Sequence, residues 1–532
     1  NNWCSWPNYT NRRFDFNVCL GDLIFVCHQN EKIQIMEKTY TSYKAHLQKI
    51  SHLNSAMALL SWDQEIYMPK NGAGVRAQQF STLSTISHEM ATDPDFEALV
   101  VYLMEKSSFG FKEKGNLEES KYAIDASKKM SSNFIKRSAI ARSSAFQSWQ
   151  EAREKEDFSI FQADLQIIVD LEKEKANLLG YKGHPYDALL NLYERDLTVK
   201  TLEQVFIQVK NKIVPLIKSI KEKEQNSDDC IKQSFNKDDQ WKFSLEILKQ
   251  MQYDFDGGRQ DISTHPFTSS FNCNDVRLTT RIDENDLSEI IWSTVHEGGH
   301  GLYEQGLKIE NYGLPSGEFV SLGIHESQSR IWENNIGRAL PWWEHMYPIL
   351  QAQFPNQLKD VPLIEFYKAM NKVESSLVRT SADELTYHIH VMIRYEIEKG
   401  LIEGSIEVKD LEEVWNEKYQ TYLGISASKP TEGVLQDIHW SHGSLGYFPT
   451  YSIGSFYAAQ FYATAKKKIP NLEDQLKKGD VSKFLELMRK HIHQHGKIYT
   501  AEQLCENFTG EKLNINHFVE YAKEKYADIY GI

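Results

Sequence analysis

The sequence is poor in cysteine, and its few cysteines form no recognisable binding or disulfide pattern. Only six occur in 532 residues, three of them within the first 27, and none forms a CxxC pair. This density is not that of a disulfide framework, and no cysteine pair has the spacing of a zinc ribbon. We therefore expect reduced thiols and a cytoplasmic protein.

Excess positive charge and long apolar runs are also missing. The formal net charge is −14, whereas nucleic acids and anionic membranes select basic surfaces. The most apolar stretch near the start, VCLGDLIFVC, contains Asp22 and is too short to cross a bilayer. It also lacks the basic flank and small-residue cleavage site of a secretion signal. We expect a protein that binds neither nucleic acid nor membrane.

Helical periodicity is present through most of the chain, but it begins only at Met36. Residues 1–35 have no periodicity and are rich in Cys, Asn and Phe, so we expect an N-terminal extension of unknown role there. With 41% hydrophobic and 25% charged residues, the rest is ordinary globular sequence. Residues 36–532 are therefore expected to form the main domain, with a large core.

The spacing of apolar residues predicts a mainly α fold. Apolar residues recur at i, i+3 and i+4 in residues 118–179, 201–225, 236–253, 361–402, 408–423 and 474–493. One region differs: residues 264–283 contain Thr, Phe and Val around a turn signal at Asn272–Asp275. This pattern predicts a short β-hairpin.

The stretch that follows the hairpin contains His-Glu-Gly-Gly-His at 296–300. Upstream, Asp286 and Glu289 have the spacing of a capping box, so a helix is expected to run into the motif. On that helix His296 and His300 lie one turn apart on one face, where both imidazoles can bind one zinc ion. Glu297 beside them is placed to act as the general base for a water. On this motif alone, a capped helix with two ordinary histidines remains an alternative.

The motif places two glycines inside a predicted helix, and their presence there has to be explained. Gly298 and Gly299 each cost a helix roughly 0.5–1 kcal/mol relative to alanine. Burial on both sides would hold the helix in spite of them. We predict that they allow close approach of another backbone element or of a substrate.

A catalytic zinc site needs a third protein ligand and an open fourth position. A glutamate on a second helix would supply that ligand, and several glutamates follow the motif. The candidates are Glu304, Glu310, Glu318, Glu326 and Glu333.

Local geometry separates two of these candidates. Glu304 lies on the same helix as His300, one turn further on, and does not easily reach the same ion. Glu318 is expected in the first turn of the next helix, where a carboxylate also complements the helix dipole. Glu326 is expected in mid-helix, two turns in, where a packed helix presents it rigidly. Geometry favours Glu326 over Glu318.

Further ordered stretches extend the pattern beyond these two helices. They are SAMALLSWDQEIYMPKNGAGVRAQQ, HPF at 265–267, DVRLT at 275–279, HESQSR at 325–330, VRTSAD at 378–383 and GVLQDIHW at 433–440, followed by SHGSLGYFPTY. Together with HEGGH, they resemble the carboxypeptidase Taq family of zinc metallocarboxypeptidases, over about residues 36–532. Val378, where the family usually has Ile or Asn, is a small departure.

The resemblance implies a large helical peptidase domain with a deep substrate groove and a small β-hairpin near the zinc, similar to neurolysin and angiotensin-converting enzyme. It implies His296, His300 and Glu326 as zinc ligands and Glu297 as the catalytic carboxylate. The implied activity is the release of single amino acids from the free C-terminus of peptides, with broad specificity. Cobalt is expected to replace zinc, and the protein is expected to be a homodimer.

Two further groups of residues are expected to act on the substrate. The tetrahedral oxyanion needs hydrogen-bond donors besides zinc, and His439 and Tyr447 are the first candidates. His442 and Tyr451 remain rivals. Asp437 either orients a neighbouring donor or caps a helix.

A carboxypeptidase must also recognise a carboxylate, and arginine does so with a two-pronged hydrogen bond. Arg379 is the first candidate. Arg277 is the second, with an ion pair to a nearby aspartate, Asp275 or Asp383, as its alternative role. His265 is expected to line the groove near its closed end, and the hairpin can pair with an extended peptide.

Two other functions remain open from the sequence. An endo-acting zinc oligopeptidase would share the fold but would need no carboxylate clamp. A non-catalytic zinc-binding or peptide-binding protein would also keep the ligands. The presence of Glu297 argues against that second alternative, because a metal site does not need it.

Overall fold

The computed structural model describes residues 39–106 and 108–532. The expected extension at 1–35 lies outside these residues. Within them the chain is mainly helical and contains a three-stranded sheet, so the predicted fold class is confirmed. In the described part of the chain, no helix is both long and apolar enough to cross a bilayer.

Helices precede the sheet. They are α1 (Tyr40–Ile66), α2 (Ala73–Ala91), α3 (Pro94–Met104), α4 (Phe111–Lys128), α5 (Ser132–Lys155), α6 (Ser159–Leu179), α7 (Pro185–Leu190), α8 (Val199–Gln208), α9 (Val214–Lys221) and α10 (Lys237–Gln250). A π-helical turn, Val209–Ile213, joins α8 to α9.

The strands are β1 (Gly258–Ile262), β2 (Thr268–Asn272) and β3 (Asp275–Thr280). The helices that follow are α11 (Leu287–Gln305), α12 (Leu322–Arg330), α13 (Leu340–Gln353), α14 (Pro355–Leu358), α15 (Leu363–Met370), α16 (Tyr387–Glu403), α17 (Leu411–Leu423), α18 (Pro449–Lys468), α19 (Leu472–Leu476), α20 (Ser482–His491), α21 (Ala501–Thr509) and α22 (Asn516–Tyr530).

The sheet has the order β1-β3-β2, with β1 parallel and β2 antiparallel to β3. The β2–β3 pair is the predicted hairpin, and its turn lies between Asn272 and Asp275. Strand β1 was not predicted, because its buried residues are the polar Gln260 and Asp261 rather than apolar ones. In the described residues, β2 forms an edge of the sheet.

Several predicted helical segments are interrupted. Residues 118–179 are divided among three helices, and residues 474–493 are divided between α19 and α20. The prediction of α-helix throughout 361–402 is wrong for 371–386, which contain a short 3₁₀ turn, Arg379–Ser381, within irregular backbone. There Asp383 accepts hydrogen bonds from the backbone amides of Leu385 and Thr386. An Asp side chain that binds local amides competes with helical hydrogen bonding.

The core consists of two apolar clusters. The larger includes residues from α5 through α22. The smaller joins α1, α3 and α4 and includes Tyr43, Phe96 and Leu117. Helix α1 also packs against β2, so it connects the smaller cluster to the edge of the sheet.

Two helices carry the HEGGH and HESQSR motifs, and a polar side chain fixes the start of each. Asp286 caps α11 through the amide of Ser288, and Ser321 caps α12 through the amide of Ile324. Such N-caps typically stabilise a helix by about 1 kcal/mol. Helix α11 lies against the sheet, α10 and α12, while α12 packs extensively on α18. The two motifs therefore face each other from rigid elements.

Candidate metal centre and active site

Three side chains from α11 and α12 converge on one point. Oε2 of Glu326 lies 3.7 Å from Nε2 of His296 and 3.6 Å from Nε2 of His300. Ligand atoms around one tetrahedral zinc ion, each bound at about 2.0–2.2 Å, lie roughly 3.3–3.6 Å apart. Two imidazoles and one carboxylate are also the donor set of a catalytic zinc site. The residues therefore fit the ion that the sequence predicted.

The position of Glu326 differs in detail from the prediction. Helix α12 begins at Leu322, so one helical turn precedes Glu326 rather than two. Glu318 is not in the first turn of a helix, as predicted, but in extended backbone before α12. There its carboxylate accepts a 2.9 Å hydrogen bond from Lys497. Helix α12 begins only after the Ser321 cap, so Glu318 lacks the helical position that made it a candidate ligand.

Glu333, another ligand candidate, contacts His296 at the ring nitrogen that does not face Glu326. Nδ1 of His296 lies 2.8 Å from its Oε2. Nδ1–H donates to the carboxylate, so Nε2 keeps the lone pair that a metal needs. Burial would raise the pKa of Glu333, but the charges of Arg330 and His296 hold that pKa well below its ordinary value.

His300 is oriented by a longer chain of contacts. Its Nδ1 lies 2.6 Å from Nδ1 of His325, and Nε2 of His325 lies 2.9 Å from Oε1 of Glu304. Because His325 donates to the carboxylate, its Nδ1 accepts from His300. The remaining nitrogen of His300 then faces Glu326. Burial, followed by the neighbouring His325, lowers the pKa of His300 well below its ordinary value, which keeps its ring neutral.

Arg330 fixes the third carboxylate. Its Nε donates to Oε1 of Glu326 at 2.6 Å, and its Nη1 donates to Glu333 at 3.0 Å. Oε2 of Glu326 is thereby left to face the two histidines. In the sequence, Arg330 was noted only as the last residue of the HESQSR motif. Its spacing of four residues from Glu326 is the signal that predicts this contact.

Glu297 is buried, with 7% of its surface exposed. The hydroxyl of Thr268 donates to its Oε2 at 2.5 Å. Burial raises the pKa of Glu297, against the opposing effects of His296 and Thr268. A carboxylate with a raised pKa is a better proton acceptor near neutral pH. Thr268 lies on edge strand β2, and no pattern in the sequence indicated this contact.

The glycines of the motif allow the close approach that the sequence predicted. A Cβ at Gly299 would lie 2.6 Å from the carbonyl oxygen of Gln328 and 2.7 Å from Cα of Ser329. These are backbone atoms of α12. At Gly298, a Cβ would lie 2.8 Å from the Met251 methyl group. The contact between α11 and the backbone of α12 therefore requires a glycine at 299, whereas the Met251 side chain next to Gly298 can shift.

A second buried cluster contains the arginine predicted to bind a carboxylate. Nη2 of Arg379 lies 3.0 Å from Oδ1 of Asp437, and Nη2 of Arg394 lies 2.5 Å from Oδ2. Asp437 therefore orients arginines rather than capping a helix. Two guanidinium groups share one carboxylate, so these three side chains carry a net positive charge. Arg394 is completely buried, whereas the Arg379 side chain is 8% exposed.

Tyr387 connects this cluster to the metal centre. Nη1 of Arg379 donates to its hydroxyl at 3.2 Å, and the guanidinium of Arg330 lies 4.4 Å from its ring. Arg379 and the ligand candidate Glu326 are thus connected through two side chains, Tyr387 and Arg330.

The oxyanion candidates lie beside the arginine cluster. The rings of His439 and Tyr447 are 5.3 Å apart, and Nε2 of His439 lies 3.4 Å from the hydroxyl of Tyr451. Burial lowers the pKa of His439 to about 4. Burial raises the pKa of Tyr447, and the charge of Glu326 raises it further. His442 is exposed and packs against Phe146, away from this group.

Arg277 and His265 lie apart from the metal centre. Nε and Nη2 of Arg277 donate to Asp275 at 2.8 and 2.9 Å, which is the alternative role allowed by the sequence. Its guanidinium also stacks on Trp62 and Phe271. His265 is exposed in the loop before β2. Neither side chain contacts the three metal-binding candidates.

Known proteins are similar to this chain in both sequence and fold. The sequence profile of the family described as carboxypeptidase Taq (M32) metallopeptidase matches residues 42–526. Carboxypeptidase 1 of Bacillus subtilis is 39% identical over 91% of this chain and 97% of its own length. Thermostable carboxypeptidase 1 of Pyrococcus furiosus is 37% identical over 92% and 98%. The crystal structure of an M32 carboxypeptidase from Deinococcus radiodurans superposes with a TM-score of 0.91 at 33% identity, over 93% of this chain and 99% of that one.

Proposed function

Because this chain belongs to the carboxypeptidase Taq (M32) family of metallopeptidases, we propose that His296, His300 and Glu326 bind its metal ion and that this ion is zinc. The chain is a metallocarboxypeptidase, a hydrolase that acts on peptides. The convergence of the three donor atoms supports the proposal most directly. Cobalt, which accepts the same donors, is expected to replace zinc.

The proposed chemistry needs a base next to the ion. Bound zinc would supply Lewis-acid activation of the attacking water and of the scissile carbonyl. Glu297 takes the proton from that water and returns it to the leaving amine. Thr268 holds the Glu297 carboxylate in one orientation through its 2.5 Å hydrogen bond. Glu333 and the His325–Glu304 pair keep the two histidines in the tautomer that leaves Nε2 free.

His439 and Tyr447 are proposed to stabilise the oxyanion. With a pKa of about 4, His439 is neutral at physiological pH and can donate one N–H without carrying charge. Tyr447, whose pKa is raised by burial, keeps its hydroxyl proton and can donate it as a hydrogen bond. Removal of one oxyanion donor typically lowers kcat by about 100- to 1000-fold.

The free carboxylate of the substrate is proposed to bind Arg379, with Asp437 as a positioning residue. The net positive charge of the Arg379–Asp437–Arg394 cluster supports this role, since a buried excess charge favours an anionic ligand. Arg394 has no exposed surface, which leaves Arg379 as the accessible donor. Arg277 and His265 are proposed to line the groove rather than to hold the carboxylate.

The rest of the proposal concerns the whole protein. Residues 36–532 are proposed to be the catalytic domain, and single amino acids are proposed to be released with broad specificity. Cys230, Cys273 and Cys505 are free thiols, which supports a cytoplasmic location. The homodimer is proposed from family resemblance alone.

Product analysis tests this proposal. The protein is incubated with an unblocked peptide of about ten residues, with and without a chelator, and with a C-terminally amidated copy. We expect a ladder of single-residue losses from the C-terminus that both the chelator and the amide abolish. Internal cleavage that tolerates the amide would instead indicate an endo-acting oligopeptidase, and Arg379 would lose its proposed role.

A further inference from the structure

The two proposed oxyanion donors lie on a stretch of chain without regular secondary structure. Residues 437–447, which we call the donor segment, form turns and irregular backbone before α18. No helix or strand fixes the backbone of this segment. The positions of His439 and Tyr447 therefore depend on the contacts that the donor segment makes with its neighbours.

One buried carboxylate on α16 accepts hydrogen bonds from two places in the donor segment. Oε1 of Glu398 accepts from Nε1 of Trp440 at 2.8 Å, and its Oε2 accepts from the backbone amide of Gly446 at 2.9 Å. Trp440 directly follows His439, and Gly446 directly precedes Tyr447. Glu398 therefore fixes the chain next to both proposed donors.

The surroundings of Glu398 suit an ionised carboxylate. The side chain has no exposed surface, and the hydroxyl of Tyr186 on α7 also donates to its Oε2, at 2.5 Å. All three partners are donors, so a carboxylate that only accepts satisfies each of them. Arg394, one turn earlier on the same face of α16, binds Asp437 at the start of the donor segment. Two opposite charges of one helix thus hold the segment.

The position of Tyr447 is restrained from two further directions. Gly446 has a φ of 98°, in the left-handed region that favours glycine. A Cβ there would lie 2.9 Å from the carbonyl carbon of Leu189 in α7, so the backbone of the donor segment lies directly on that helix. The ring of Tyr447 packs edge-on against Tyr193, with the centroids 5.3 Å apart.

We propose that Glu398 is a positioning residue that holds His439 and Tyr447 where they can donate to the oxyanion. This inference rests on the proposed function, since it requires those two donors. Oxyanion stabilisation depends on donors arranged before the reaction, and a displacement of about 1 Å can lower the rate about 100-fold. The substrate carboxylate is proposed to bind elsewhere, at Arg379, so the loss of Glu398 should lower kcat and leave KM nearly unchanged.

The main variant is Glu398→Gln, which keeps the size of the side chain. Its single amide oxygen can accept from Trp440 or from Gly446, while its NH₂ group opposes the other donor. Steady-state kinetics on a short peptide with a free C-terminus give kcat and KM, and elemental analysis gives the metal content. We expect kcat to fall at least about tenfold and KM to stay within about threefold. Metal content should be unchanged.

Tyr186→Phe is the matched control. It removes a hydrogen bond from the same carboxylate, but Tyr186 lies on α7, outside the donor segment. Its melting temperature should fall, because a buried hydrogen bond is lost. We expect its kcat to stay within about twofold, since Trp440 and Gly446 keep their acceptor. An equal loss of kcat in Tyr186→Phe and Glu398→Gln would indicate general loosening of the core and overturn the inference.

A double-mutant cycle tests whether Glu398 acts through the donors. Glu398→Gln is combined with His439→Gln and, separately, with Tyr447→Phe. A positioning residue has little left to align once its donor is gone, so its effect on kcat should shrink to within about threefold in at least one combination. An undiminished effect in both combinations would assign Glu398 a purely structural role and overturn the inference.

The remaining outcomes separate this inference from the proposed function. Impaired donor variants together with full kcat in Glu398→Gln would overturn the inference alone. Full kcat in both His439→Gln and Tyr447→Phe would contradict the proposed oxyanion donors, and the inference with them.

Trp440→Phe is a second variant for use if Glu398→Gln does not fold. It removes one anchor of the donor segment and leaves Glu398 its other two partners. We expect kcat to fall at least about threefold with KM unchanged. A normal kcat in this variant would also overturn the inference.

Discussion

His296 donates its Nδ1–H to Glu333 across 2.8 Å, and Glu333 is itself held by Arg330 and Arg338. This proposed metal ligand is therefore oriented by a buried carboxylate that lies on the π-helical turn Ile331–Gly337, after α12. The contact fixes which nitrogen of His296 is available before any metal binds.

Glu333→Gln should weaken zinc binding by about 10- to 100-fold, the usual effect of removing the partner of a histidine ligand. A neutral amide is a poorer acceptor, and it also removes the counter-charge that Arg338 and Arg330 share at this position. Competition between the protein and a zinc-binding dye measures the change. Glu318→Gln is the control, because its carboxylate pairs with Lys497 outside the metal centre. Unchanged affinity in Glu333→Gln would show that the contact does not support the ligand.

Glu297→Gln should separate metal binding from catalysis. The variant keeps the shape of the side chain but cannot accept a proton, so we expect kcat to fall by about 100- to 10,000-fold. Zinc content, measured by elemental analysis, should stay near one ion per chain. Glu289→Gln on the same helix should keep its activity, since Glu289 pairs with Arg281 away from the site. An active Glu297→Gln variant would remove Glu297 from the mechanism.

Gly299→Ala should destabilise the protein through a backbone collision. The added Cβ would lie 2.6 Å from the Gln328 carbonyl oxygen, and overpacking of this kind costs about 1–3 kcal/mol. Because the added methyl group would push α11 away from α12, both the melting temperature and the catalytic activity should fall. Gly74→Ala is the matched control, because an added Cβ there would meet no other described heavy atom within 4 Å apart from its chain neighbours and the nearby backbone of its own helix. That change should stabilise α2 by about 0.5–1 kcal/mol. Equal melting temperatures for the two variants would contradict the close-packing explanation.

Arg379→Lys should reduce cleavage of peptides with a free carboxylate by about 100-fold. The lysine keeps the charge but loses the two-pronged hydrogen bond and the fixed geometry beside Asp437. We expect the loss mainly in KM, measured with steady-state kinetics on a short peptide. Arg277→Lys should have little effect, since its donors are engaged by Asp275. If both variants cleave normally, another group binds the substrate carboxylate.

The pH dependence of stability should reveal the buried Glu194, which accepts a hydrogen bond from the amide of Gly323 in α12. Burial raises the pKa of Glu194 from 4.5 to about 7. Between these values the folded protein holds a proton that the unfolded chain releases. Its contribution to stability is therefore complete below pH 4.5 and is lost as the pH rises to about 7.

Glu194→Gln should reduce that slope, by on the order of 3 kcal/mol in the free energy of unfolding across this range. Part of the slope should remain, because burial also raises the pKa of Glu398 to about 7. Urea titrations at intervals between pH 4.5 and 8 measure it. Glu473→Gln, at an exposed position, should leave the slope unchanged. A slope in Glu194→Gln equal to that of the unmodified protein would assign the effect to other buried carboxyl groups.

Features that depend on local periodicity could be predicted from the residues alone. The spacing of His296 and His300 required one helix face, Asp286 marked the start of α11, and the turn signal at Asn272–Asp275 marked the hairpin. These features follow from backbone geometry that repeats within a few residues. The glycines of the motif likewise indicated a close neighbour without identifying it.

Contacts between groups far apart in the sequence could not be predicted and follow from the packing of the folded chain. The contact of Gly299 with the backbone of α12 brings Glu326 to the histidines, while the Ser321 cap leaves Glu318 outside. The contacts of Glu333, Thr268 and the two arginines at Asp437 likewise join segments far apart in sequence. Such contacts depend on how helices and strands pack against one another, and no local pattern in a single sequence specifies that packing.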